Sequence, residues 1–374
     1  MINLISRRVC LAAVIALAVS AAPAARADDT DRDEQANRYK VNVLVSDIPD
    51  LGGQVIDPNL KNAWGVAFSP AASPFWVADN GAGVSTLYDG AGNIVNLANG
   101  ASPVKIPGPG GPGTGTPTGI VWNPSAAFLV PGTNIQAAFI FDTEDGIIAA
   151  WGGGLMPNNE AVLAVTEPDA VYKGLAFDTN SSGAFLFATN FHDGTVDVFD
   201  QTYTRVARFT DPKIPAGFAP FGIQNINGNL IVTYAKQKPD KHDDMAGPGN
   251  GFVDVFDTDG HLLRRLASRG LLNSPWGVAR ASFAFGRFSD DLLIGNFGDG
   301  RINAVTDPGH REGSLVPLRD TKGKPIVIDG LWTLTLGGGR GSSPSTLYFT
   351  AGPNDEANGL FGTITPVSGK GDDN

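Results

Sequence analysis

Short apolar runs recur along the chain, each ended by Gly, Asn or Asp, and none of the intervening stretches carries a helical spacing of apolar residues. The clearest unit reads Trp64-Gly65-Val66-Ala67-Phe68, then Phe75-Trp76-Val77-Ala78-Asp79-Asn80, then Gly83-Val84-Ser85-Thr86-Leu87-Tyr88-Asp89. Runs rich in β-branched and aromatic residues, bounded by turn formers, are strand-and-turn chemistry. The same phrase returns with Thr118, Lys173, Phe221, Trp276 and Trp332 at the place of Trp64, at intervals of 48–56 residues. Self-similarity at a fixed period of this length marks a repeat architecture. Several short strands per repeat predict an all-β fold, a six-bladed β-propeller of four-stranded blades.

The expected innermost strands are 64–68, 119–122, 174–177, 222–225, 277–279 and 332–336. Second and third strands follow in each unit, and outer strands are expected at 94–97, 161–165, 205–209, 262–266 and 314–318. The sixth unit runs out of chain before a fourth strand, while residues 40–45 (Lys-Val-Asn-Val-Leu-Val) form a strand with no unit of their own. This N-terminal strand is expected to pair with the sixth unit and close the ring, which would remove a free sheet edge.

Composition changes the picture at the ends of the chain. Arg7 and Arg8, the apolar stretch 9–22 and the small-x-small sequence Ala25-Arg26-Ala27 predict a signal peptide over residues 1–27, cleaved after Ala27. The run Ser6-Arg7-Arg8-Val9-Cys10-Leu11 fits either a Sec or a twin-arginine signal, so the expected protein is exported, periplasmic or extracellular. Residues 28–39 are expected to be a disordered acidic leader, 40–367 the propeller and 368–374 a flexible tail. The Gly- and Pro-rich stretch 107–117 reads as a flexible connection between the first two units.

Cys10, the single cysteine, falls in the cleaved segment, so the mature chain has no thiol nucleophile, disulfide or cysteine metal site. Removing Arg7, Arg8 and Arg26 leaves 24 basic against 38 acidic residues, a net charge of −14. That balance argues against nucleic acid and anionic membranes as partners. A monomer without a membrane span after cleavage is expected.

Chemistry is concentrated in the loops between second and third strands, which one face of a propeller would gather. They include Asp79-Asn80-Gly81, Asp142-Thr143-Glu144-Asp145-Gly146, Asn190-Phe191-His192-Asp193-Gly194, Asn296-Phe297-Gly298-Asp299-Gly300 and the run from Pro353 to Gly359. Such loops make Asx turns with no function required. They also offer oxygen ligands, and Asp79, Asn190, Asn296 and Asn354 are candidates for holding Ca²⁺, the one cofactor considered. The fourth unit departs from the pattern with a long loop over 236–250, where Lys241-His242-Asp243-Asp244 are candidate ligand-binding residues. His242 and His192 are the candidate catalytic bases, whereas His261 and His310 fall in turns and read as surface residues. Trp64, Phe221, Trp276 and Trp332 either fill wedges between blades or reach the channel mouth as platforms for a flat apolar or sugar ligand. No nucleophile elbow, Walker loop, HExxH helix or dinucleotide fingerprint is present in the chain.

Asn62-Ala63-Trp64-Gly65, Ser274-Pro275-Trp276-Gly277, Phe75-Trp76-Val77-Ala78-Asp79-Asn80, Lys241-His242-Asp243-Asp244 and Gly251-Phe252-Val253-Asp254-Val255-Phe256-Asp257 resemble a family of exported bacterial propellers, over residues 40–367. Some members of that family carry a PEP-CTERM sorting tail; the chain lacks one here, which favours a soluble or periplasmic protein. More distantly the blades resemble NHL repeats, a group that includes binding propellers and Ca²⁺-dependent lactonases. The resemblance implies the fold and carries no activity across. The expected function is a ligand- or protein-binding module using the acidic, Trp-containing face. The alternative is a Ca²⁺-dependent lactonase or esterase-like hydrolase with its site over the channel.

Overall fold

The phrase that opens with Trp64, Thr118, Lys173, Phe221, Trp276 or Trp332 lies in the innermost strand of an antiparallel sheet in every repeat. The computed structural model describes residues 37–70, 73–98, 102–157, 159–306 and 312–367. Six sheets are arranged as the blades of a β-propeller. Their inner strands are Ala63–Ala67, Pro117–Trp122, Tyr172–Asn180, Phe218–Ile226, Pro275–Arg280 and Leu331–Leu336. In blades two to five the order runs simply outward along the chain. In blade six, Tyr39–Ser46 pairs antiparallel with Leu360–Pro366, in a register from Tyr39 opposite Pro366 to Ser46 opposite Leu360. Val55–Ile56 adds a parallel fifth strand outside it. The expected signal peptide over 1–27, most of the leader, His310 and the tail at 368–374 lie outside the described residues. No described helix is long and apolar enough to cross a membrane.

Blade one differs from the expectation in its outer strand. Val104–Lys105 pairs with Val84–Tyr88, while Ile94 makes only an isolated bridge to Tyr88. Burial decides between the two segments: Val104 and Ile106 are fully buried, whereas Ile94 is 44% exposed. The stretch read as a flexible connection contains a small two-stranded ribbon, Pro107–Gly108 against Gly111–Pro112.

Adjacent sheets are held by aromatic and aliphatic packing between their faces. Trp76 of blade one stacks on Phe139 of blade two with centroids 4.2 Å apart, and Phe75 meets Tyr348 of blade six at 4.6 Å. The recurrent Asp after the third strand has a local cause. Asp89, Asp200 and Asp257 each accept backbone N–H bonds from residues two and four positions on. These Asx turns redirect the chain into the next strand.

Each inner strand carries a register shift where it meets the second strand, at the aromatic-Gly position. A bulge re-aims a side chain. Here it turns the first residue of the phrase toward the propeller axis and leaves the following glycine against the next blade. A Cβ on Gly65 would lie 2.5 Å from the Thr118 carbonyl oxygen. Gly222 and Gly277 face the carbonyls of Trp276 and Trp332 in the same way, even more closely. The repeat's glycines therefore set how near successive blades approach.

Buried carboxyls make the fold sensitive to pH. Asp142 is fully buried; burial pushes it up to about 7, against the bonds it accepts from the Thr118 hydroxyl (2.9 Å) and the Gly119 N–H (2.6 Å). The neutral form is thus favoured in the fold. Its contribution is full below about pH 4 and is lost as the pH climbs to about 7. Asp142→Asn should flatten this slope. Urea unfolding should show the parent chain losing about 4 kcal/mol more than the variant between pH 4 and pH 8. Parallel slopes for the two proteins would refute the assignment.

Candidate functional site

The re-aimed side chains meet on the axis. Trp64, Phe221, Trp276 and Trp332 gather with Phe191 and Phe297 into one cluster, and the four are each 1–9% exposed. Trp64 and Trp332 stack with centroids 3.4 Å apart, and Phe297 covers the other side of Trp332 at 3.9 Å. The four aromatic candidates thus form a packed plug across the channel. Trp276 lines the channel beneath it, and Trp64 and Trp332 form part of the floor of a cavity above.

The fifth position of that ring is Lys173, which is 2% exposed. Its ammonium lies 5.3 Å from the centroid of Trp64 and 6.0 Å from that of Phe191, within cation–π reach. It forms a close ion pair with Glu144 and stands 3.8 Å from Asp243. The Trp276 indole N–H donates to the Lys173 carbonyl at 2.7 Å, so plug and lysine are tied together.

A polar belt runs from this pair around the mouth. Asn80 donates to Glu144 at 2.8 Å, and Asn62 donates to Asn80 at 3.2 Å and to Glu356 at 2.6 Å. The side-chain Oδ1 of Asn62 accepts from the Trp332 indole at 2.9 Å. At the other end, His242 Nδ1 lies 2.9 Å from Asp243 Oδ1. The belt joins residues of blades six, one, two, three and four.

Above the plug opens a cavity of about 430 Å³. Among the described residues its walls carry Glu144, Asp243, Asp244, Asp329, Asp355 and Glu356 against Lys173 and Lys238. Burial raises Glu356 above the usual carboxylate range; the bond from Asn62 opposes this and the charge of Glu144 adds to it. Asp244 is raised as well, by burial, with Ser274 and Lys173 working against it. Asp243 is lowered: burial opposes this, but the bond with His242 and the charge of Lys173 prevail. Negative charge is therefore balanced beside the lysines and in excess elsewhere in the cavity.

The long fourth-blade loop is ordered by its own bonds. A bridge joins Gln237 and Asp244, and Met245 N–H donates to the Lys236 carbonyl at 2.6 Å. Lys238, Asp243 and Asp244 face the cavity, while Lys241 sits at the exposed tip with φ 59° and His242 beside it is half exposed. His192 lies outside the cavity lining, 3.3 Å from Asp193.

The four Ca²⁺ candidates also lie outside that lining, each engaged in its own blade. Asp79 is fully buried, accepts from the Thr86 N–H at 2.8 Å and is raised well above its ordinary range by burial. Asn190 donates to Asp197, Asn296 to the Leu271 carbonyl, and Asn354 to Asn358. Donor atoms that do converge by the cavity, within 4.8 Å of one another, belong to Glu144, His242 and Asp243; Asp257, Asp259 and His261 form a second such group outside its lining. A divalent ion there would sit against the ammonium of Lys173, which two of the three already hold.

Sequence reasoning passed over Lys173, Glu144, Asp329 and Glu356 as site residues. A usable signal existed for the first: a charged residue stands where four of the six repeats carry an aromatic ring. No comparable signal marks the others, which gain their meaning by meeting across the ring.

No family model matches the chain. It is 30% identical over 350 residues to uncharacterized protein R648 of Acanthamoeba polyphaga mimivirus, covering 87% of the chain and 80% of that protein. It is also 30% identical over 348 residues to uncharacterized protein L690 of the same virus, covering 87% and 85%. Among solved structures, virginiamycin B lyase from Staphylococcus aureus superposes with a TM-score of 0.53 at 13% identity, over 88% of the chain and all of the lyase. A glucose dehydrogenase gives 0.51 at 11% identity, over 87% of the chain and 99% of the enzyme. At such identities these two share the propeller fold and nothing finer.

Proposed function

The chain belongs to one family with the mimivirus proteins R648 and L690, and from that premise we infer that it is an exported small-ligand-binding propeller. The observation that carries this is the cavity of about 430 Å³, walled by carboxylates and lysines over an aromatic floor. Its size lies in the range of small-molecule sites, and its aromatic floor beneath convergent charged groups can bury and orient a ligand. The plug supports the reading, because it closes the channel beneath the ligand and supplies rigid ground. Export rests on the N-terminal segment described above.

The test uses the secreted chain, with its N-terminus sequenced; Asp28 is the expected first residue. A small-molecule library is screened by thermal shift. A ligand at a hundredfold excess over its dissociation constant adds about 2.7 kcal/mol to stability. Ala246 lines the cavity wall, and Ala246→Trp should abolish the shift by filling the space. Shifts that persist in Ala246→Trp, or a library without a single hit, would sink the proposal.

The convergence of Glu144, His242 and Asp243 favours a second reading, a metal-assisted hydrolase of lactones or esters in which Glu144 and Asp243 would hold the ion and His242 beside them would act as base. In the same melts it predicts stabilisation by Ca²⁺ that EDTA reverses, and a flat response counts against it.

A further inference from the structure

Building on the small-ligand reading, we propose that the cavity recognises an organic ammonium ion, of the size of an aminosugar, held by the carboxylates of Asp244, Asp329, Asp355 and Glu356 over the aromatic floor.

Three features of the cavity lead to this chemistry. The first is charge. The six carboxylates lining it face two lysines, and both lysines lie with Asp243: Lys173 at 3.8 Å and Lys238 at 3.5 Å. The carboxylates from blade six have no basic side chain within ion-pairing distance among the described residues. Asp329 is only partly satisfied by the backbone N–H of Asn354 at 2.9 Å, and Glu356 by the amide of Asn62. Burial raises Glu356 and Asp244 above the usual carboxylate range, and the lysines offset this only in part.

The second is an orphaned group. Asp244 is nine-tenths buried and lines the cavity; the neighbouring Ser274 hydroxyl eases its burial, yet neither that hydroxyl nor Asp244 Oδ2 completes a hydrogen bond of good geometry among the described residues. A buried carboxylate oxygen without a donor is costly, and a ligand ammonium would supply one. The indole N–H of Trp64, on the floor and 2% exposed, likewise has no acceptor among the described residues. A hydroxyl on the ligand would answer it. An ammonium together with hydroxyls describes an amino alcohol or aminosugar.

The third is a built-in template. The ammonium of Lys173 already lies over Trp64 and between two carboxylates. The site thus holds one ammonium of its own in the geometry proposed for the ligand's. Size separates this ligand from a bare metal ion, since a cavity of about 430 Å³ admits a molecule of a dozen or so heavy atoms.

The experiment titrates three amines against neutral counterparts of like shape: glucosamine against glucose and N-acetylglucosamine, choline against 3,3-dimethylbutanol, and 1,4-diaminobutane against 1,4-butanediol. Binding is read by calorimetry and by tryptophan fluorescence on the secreted chain. At least one amine should bind about tenfold or more tightly than its counterpart. Asp355→Asn/Glu356→Gln should remove that preference while leaving the melting temperature of the free protein close to the parent's. Equal binding of every amine and its neutral partner would overturn the ammonium assignment and leave the small-ligand reading standing. Failure of all three amines at millimolar concentration would overturn it too, whatever the broader screen finds. A melting temperature that falls sharply in the double variant would assign these carboxylates to structure; Asp244→Asn then serves as the second variant, and an amine preference unchanged in it would also overturn the proposal.

Discussion

Glu144→Gln is expected to cost about 3–5 kcal/mol of stability. The reason lies with its partner. Lys173 is 2% exposed and keeps its ammonium among Trp64, Phe191 and Glu144. Removing the negative charge leaves a buried cation whose remaining carboxylate, Asp243, is 3.8 Å away and half exposed. The converse change behaves differently. Lys173→Met puts an apolar side chain at a ring position that is aromatic in four blades, and replacement of a buried ion pair by apolar groups is often neutral or stabilising. The double variant Lys173→Met/Glu144→Gln should therefore recover most of the stability lost in Glu144→Gln. Urea denaturation of the four proteins gives the coupling directly. A loss below about 1 kcal/mol for Glu144→Gln would place the pair with ordinary surface salt bridges instead.

The second large effect is expected at the glycines of the repeat. Gly222→Ala places a methyl group against the Trp276 carbonyl oxygen and 3.0 Å from the Thr233 hydroxyl, which already accepts the Gly222 N–H at 2.8 Å. Neither neighbour is the free end of a flexible side chain. Relief requires blades four and five to move apart, and overpacking of this kind costs about 1–3 kcal/mol or more. Gly153→Ala is the matched control, because its Cβ would meet nothing within 4 Å. Chemical denaturation should show a clear drop in midpoint for Gly222→Ala and almost none for Gly153→Ala. Similar midpoints for the two variants would mean that these glycines do not govern the spacing of the blades.

These two cases also show what a reader of the sequence could and could not have found. The phrase Trp-Gly, Phe-Gly, Lys-Gly is visible as a pattern, and its period gives the number of blades. The strands follow because short apolar runs are bounded by turn formers, and because Asp after the third strand of blades one, three and four makes a local turn. Such features depend on neighbours in the chain. Blade one's outer strand was misplaced because 94–97 and 104–105 are both short apolar runs after the same turn, and only burial against blade two distinguishes them. The site is harder for the same reason. Glu144, Lys173, Asp243, Asp329 and Glu356 come from four blades, and no spacing along the chain relates them. His242 draws the eye as a histidine among aspartates, yet it stands at the rim, and the buried partner of the loop it belongs to is Lys173.

The pairing of Tyr39–Ser46 with Leu360–Pro366 also sets the order of events during synthesis. Residues near 40 hydrogen-bond to residues near 360, with Asp47 and Gly359 separated by 312 positions. At roughly 5–20 residues per second the N-terminal strand waits on the order of 15–60 s for its partner. Blades two to five draw all four strands from consecutive chain and have no such delay. The nascent protein therefore passes through a long interval as an arc of finished blades with one unpaired strand trailing from its start, and the ladder of blade six is among the last to form.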